Sequence, residues 1–153
     1  MNWDLEERAE DSVATYLKAQ CGNMRVYAAW TMSEPQFPCA VVHCSESGPI
    51  SETANWHEAR ELKIAVAVIT EAAPLIQDGV EILSARERNA IARSDVLATL
   101  GVDGLGALLN AAGIAGIYFA MAQVGTCTRT VDEATRRLIT TITVDAIASP
   151  QEV

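Results

Sequence analysis

The chain predicts an α+β domain: a mostly antiparallel sheet of about five strands with helices packed on it, in the order α-β-β-β-α-α-β-β. Three observations carry this expectation. In the closing run Arg137-Leu138-Ile139-Thr140-Thr141-Ile142-Thr143-Val144-Asp145-Ala146-Ile147, alternate residues divide into two faces. Leu138, Thr140, Ile142, Val144 and Ala146 form a mostly apolar face, and the residues between them a mostly polar one. That is a half-buried antiparallel strand, and a strand placed this late must pair back onto strands made much earlier. At the other end, Leu5, Ala9, Val13, Tyr16 and Leu17 recur at helical spacing. Between the two, Ser84-Ala85-Arg86-Glu87 has the spacing of a capping box and opens a second helix after three strand-like runs.

The elements follow in order. The first helix runs from Trp3 to about Cys21, with Asp4, Glu6 and Glu7 at its positive end and Gly22-Asn23 ending it. Residues 24–31 alternate as a strand, 34–38 form a proline turn, and Cys39 to Cys44 is a short, densely apolar strand. Residues 45–58 are polar, contain Gly48 and Pro49, and predict a long, poorly anchored loop with Trp56 near its end. Residues 59–70 form the third strand: Leu62, Ile64, Val66 and Val68 are bulky, while Lys63, Ala65, Ala67 and Ile69 make a smaller face that suits a close helix. Residues 74–79 connect to the capped helix, whose weak stripe of Ile91, Val96, Leu97 and Leu100 stops at Gly101. Asp103 caps a short helix to Gly113. Residues 114–124 are a strand, and 125–135 a loop with Arg129 at its centre, before the closing strand. No linker, repeat or low-complexity tract divides the chain, so residues 1–153 read as one domain.

At 153 residues and 50% hydrophobic content the core is large enough to need no disulfides. Cys21, Cys39, Cys44 and Cys127 contain no Cys-x-x-Cys pair and read as buried free thiols of a cytosolic protein. The acidic start, Met1-Asn2-Trp3-Asp4-Leu5-Glu6-Glu7, lacks the basic region of a signal peptide. A net charge of −9 argues against specific nucleic-acid binding, which needs clustered cations. It suits solubility, or a surface past which nucleic acid slides. Residues 105–124 carry no charge and have the length of a membrane span. Asn110, Gln123 and three glycines interrupt that stretch, and its flank is Asp103, so a strand after a short helix is the preferred reading.

No complete catalytic motif is present. His57-Glu58-Ala59-Arg60-Glu61 has a glutamate where a zinc helix needs its second histidine. Cys39, His43 and Cys44 would ligate a metal only from a bulged strand. Gly104-Leu105-Gly106 lacks both the third glycine and the preceding strand of a dinucleotide loop. No catalytic, metal or cofactor residue is therefore assigned, and no cofactor is expected. The densest basic cluster, Arg86, Arg88 and Arg93, reads either as a solvated helix face or as a docking surface for an acidic partner. Trp56 and Arg129 join it as candidate docking residues.

The long helix after the third strand, together with the closing Arg-Arg-Leu-Ile-Thr-Thr-Ile-Thr-Val-Asp-Ala-Ile-Ala-Ser-Pro segment, resembles the tail terminator or tail-completion proteins of long-tailed bacteriophages. The resemblance covers nearly the whole chain, from Trp3 to Pro150, and rests on element order and strand placement. It implies a non-enzymatic homo-oligomer, a hexameric ring that caps the tail tube and contacts the tail tube protein and a head-neck protein. It also implies a place in the virion tail, reached by assembly in the host cytoplasm, without a membrane. A small ligand-binding or enzymatic domain using His43, His57 and the cysteines is the second reading. A membrane-associated protein anchored through residues 105–124 is the third.

Overall fold

The computed structural model describes residues 4–29, 35–50 and 59–150. Its elements are α1 (Leu5–Gln20), β1 (Arg25–Ala28), β2 (Cys39–Pro49), β3 (Arg60–Glu71), β4 (Leu75–Gln77), β5 (Val80–Leu83), α2 (Ala85–Leu100), α3 (Leu105–Ala111), β6 (Ile117–Asp132) and β7 (Arg137–Pro150). The main sheet has the order β1-β2-β3-β7-β6. All its pairings are antiparallel except β1 with β2, which is parallel. The expected α+β class and the expected succession of elements hold. The late strand does pair back: β7 lies between β3 and β6, in register with β3 from Arg60↔Ala148 to Glu71↔Arg137.

The alternation in β7 is the alternation of burial. Thr140, Ile142, Val144, Ala146 and Ala148 are buried, and the residues between them are half-buried. On β3 the buried row is Leu62, Ile64, Val66 and Val68. These rows meet Leu5, Ala9, Val13 and Leu17 of α1, Val96 and Leu100 of α2, and Leu105 and Leu109 of α3 in one core. Burying each large aliphatic side chain contributes about 1.5–3 kcal/mol, so this layer dominates stability. The helices therefore pack on the bulky face of β3, not on the smaller face expected from the sequence. A core is filled to close-packed density by large side chains, and the Ala65-Ala67 row has too little volume to fill one. On the opposite face Val41, Ala65, Ala67, Thr141 and Thr143 are half-buried and His43 is exposed.

Three segments differ from the sequence reading. β2 continues to Pro49, through a bulge between Cys44 and Glu46, where a loop is expected from residue 45. β1 pairs only with residues 39–42, so the polar second half of β2 runs beyond it, and polar side chains cost little there. The rest of that predicted loop, residues 51–58 with Trp56 and His57, lies outside the described residues. Residues 125–132, expected as a loop around Arg129, instead extend β6 and pair with 137–143. Four β-branched residues, Thr126, Thr128, Thr130 and Val131, favour the strand, and Gly125 sits at a bulge between Val124 and Thr126. A Cβ at Gly125 would lie 2.1 Å from the Asp145 carboxylate. The connection at 74–79 is part of a separate two-stranded hairpin, β4–β5.

The stretch 105–124 divides as expected into the seven-residue helix α3 and a strand, which begins at Ile117 rather than 114. No helix among the described residues is long and apolar enough to cross a membrane.

Candidate partner-docking groove

Helix α2 starts where the capping box places it. The Ser84 hydroxyl accepts from the Glu87 amide at 3.1 Å, and the Glu87 carboxylate accepts from the Ser84 amide at 3.2 Å. Its rotation is fixed by a polar pin that the sequence did not reveal. Asn89, 5% exposed, donates to Thr70 Oγ1 (3.0 Å) and to the Leu138 carbonyl (3.1 Å). Its Oδ1 accepts from Thr140 Oγ1 at 2.8 Å. One side chain thus joins α2 to β3 and β7. An asparagine amid a weak apolar stripe is the signal that would have found it, because a buried amide must be satisfied. With Ala92, Val96 and Leu100 also turned inward, Ile91 is left outward, 50% exposed, although the periodicity places it in the stripe.

Arg86 and Arg93 lie three residues before and four after Asn89, so all three share one helix flank. Facing that flank is the far end of the β6–β7 hairpin, where Arg129 is paired with Thr140 and so belongs to the sheet face beneath the helices. A groove of about 770 Å³ opens between them, walled by Arg86, Arg93 and Arg129 and floored by Ala90, Val131, Leu138 and Ile139. None of the three arginines has an ion pair or hydrogen bond among the described residues. Guanidinium groups stay charged at any working pH and grip carboxylates two-pronged, so this groove suits an acidic segment with apolar side chains. Arg88 is not part of it. Its Nη1 donates to the Ala73 carbonyl at 2.9 Å, on the other flank of the helix, and it ties α2 to the segment after β3.

The groove's outer wall is also braced. Asp132 accepts from the amides of Ala134 (3.2 Å) and Thr135 (3.3 Å), and Arg136 takes a positive φ of 56° in the turn that follows. The contact with Thr135, through its side chain and then its amide, holds the Asp132 carboxyl below its ordinary value. Arg137 lies over the Phe37 ring at 4.5 Å, anchoring the start of β7 against the turn before β2.

The residues of the enzymatic reading are arranged differently. Glu10, buried on α1, accepts from the Cys44 amide at 2.7 Å and lies 3.2 Å from His43 Nδ1. Burial pushes the Cys44 thiol up to about 12, helped by Glu6 and Glu10, and the Cys39 thiol to about 11. Both stay protonated near neutral pH, the opposite of an activated nucleophile. Cys21 and Cys39 are buried as expected, Cys44 is half-buried, and Cys127 is exposed on the edge strand β6, where residues 125–131 are all exposed. No group of three or more potential metal ligands exists among the described residues.

No protein-family model matches the chain, and no curated protein does. Among solved structures, it is similar to a chain in the virion of a native gene transfer agent (GTA) particle, at a TM-score of 0.58 and 13% identity, over 93% of this chain and 94% of that one.

Proposed function

We propose that this chain is a virion structural protein: a tail terminator-like subunit that assembles into a hexameric ring, caps the tail tube and joins it to the head, without enzymatic activity. The observation that carries this reading is the shared fold along almost the full length of both chains with a protein of a virion particle. The arginine groove supports it, since a subunit that meets a tube protein and a neck protein needs contact surface rather than an active site. The net charge of −9 fits a ring through which DNA passes without adhering. In this reading the chain resides in the virion tail and reaches it by assembly in the host cytoplasm.

The test is assembly. Purified protein, alone and with tail tubes from a terminator-deficient particle, is measured by light scattering and imaged by negative-stain electron microscopy. A closed ring on the tube ends, and restored head joining, is the expected outcome. A strictly monomeric mass at high concentration with bare tube ends would reject the proposal.

A further inference from the structure

On the other flank of α2 the β4–β5 hairpin pairs with nothing but itself in the sheets. Ile76, Val80 and Ile82 on it are 58%, 63% and 52% exposed. A lone two-stranded hairpin is marginal in water, and clustered exposed apolar side chains mark a contact surface. Its tip is nevertheless well defined. Asp78 and Gly79 have φ of 52° and 76°, the double positive φ of a type I′ turn. Ile76 pairs with Glu81 and Gln77 with Val80, so apolar side chains stand on both faces of the arm. Asp78 and Glu81 add two exposed carboxylates to it, with no ion pair to either among the described residues. At the base of the hairpin, Leu83 lines a cavity with Ile91 and Asp95 on its own flank of α2. The arginine groove lies on the opposite flank. Each chain thus carries an acidic, apolar arm on one side and a basic, apolar-floored groove on the other, with α2 between them.

We infer that the β4–β5 hairpin of one copy seats in the arginine groove of the next copy, Asp78 and Glu81 meeting Arg86, Arg93 and Arg129. The contact is head-to-tail: each copy gives one arm and receives one, a geometry that makes a ring when the rotation between copies closes and an open filament when it does not. It rests on the ring-subunit reading above and identifies the interface that builds the ring.

Two variants test it. Val80→Ser/Ile82→Ser alters only exposed side chains of the arm. Arg93→Glu/Arg129→Glu reverses the groove. Circular dichroism and melting confirm that both fold. Each alone is expected to lose the assembled mass and run as a monomer. Mixed, the intact groove of the first meets the intact arm of the second. The mixture should then give a one-to-one dimer and nothing larger by light scattering, trapped by glutaraldehyde if weak. Variants that assemble like the wild type would overturn the hairpin contact and leave the ring reading standing. Variants that both fail, in a mixture without dimer, would overturn it too, leaving the groove to a different acidic partner. A wild type that forms no ring, alone or on tail tubes, would reject both proposals.

Discussion

At the scale of single residues, the fold depends on a few satisfied polar groups inside an aliphatic core. Asn89→Ala leaves the hydroxyls of Thr70 and Thr140 without their partner in a buried site. Leaving buried polar groups unmet costs roughly 1–3 kcal/mol each, so a loss of about 2–4 kcal/mol is expected, read as a lower urea midpoint with an unchanged slope. Val66→Asp or Ile142→Asp places a charge at a position with 0% exposure and should prevent folding, seen as loss of soluble protein. The thiols separate by exposure: at pH 8 a thiol reagent should label Cys127 quickly in the native protein, and all four cysteines only in denaturant. Rapid native labelling of Cys39, which is 0% exposed, would show that its strand opens.

At the scale of elements, what was legible and what was not have separate physical causes. The period-two pattern of β7 and the capping box of α2 are local signals, and both hold in place. Gly125 and the polar residues after it resemble a loop in sequence, and their strand character comes from pairing with β7, a long-range fact. The β4–β5 hairpin has a local signal, Asp78-Gly79 between apolar runs, inside the segment expected as a connection. The docking residues were half-readable. Charge density pointed to α2, but only the fold separates Arg88 from Arg86 and Arg93 and brings Arg129 across to them. Two turns carry predictions. Gly116, between α3 and β6, has a φ of 82°, and a Cβ there would collide with Arg8, which donates to the Ala115 carbonyl. Gly116→Ala should therefore lower stability by about 1–3 kcal/mol in chemical denaturation. In the β6–β7 turn, Asp132 has a lowered carboxyl pKa in the folded state, so its contribution is complete above the ordinary value of 3.8 and is lost as pH falls through the lowered one. A nuclear magnetic resonance titration should give Asp132 a midpoint below 3.8, with the Ala134 and Thr135 amides shifting together with it.

At the scale of the whole molecule, the charge is unevenly placed. The chain carries −9, yet three arginines without partners among the described residues meet at one groove. Like charge over the rest of the surface keeps copies apart, while the groove offers one place where approach is favourable. In the assembly reading, then, electrostatics sets which face docks and how quickly, and apolar contact sets how long it stays. The two contributions respond differently to salt. The Debye length falls from about 30 Å at 0.01 M to about 3 Å at 1 M ionic strength, which screens steering between exposed charges but leaves apolar contact intact. Ring formation on tail tubes should therefore slow as salt rises, while rings already formed persist. Arg86→Ala and Arg93→Ala should slow it in the same way at low salt, with the melting temperature nearly unchanged, and should flatten the salt dependence. Arg88→Ala should do the reverse, lowering the melting temperature through its lost bond to Ala73 while leaving the salt dependence intact. Stopped-flow light scattering of the four proteins across that salt range separates these outcomes. An assembly rate indifferent both to salt and to Arg86 and Arg93 would show that the groove has no part in docking.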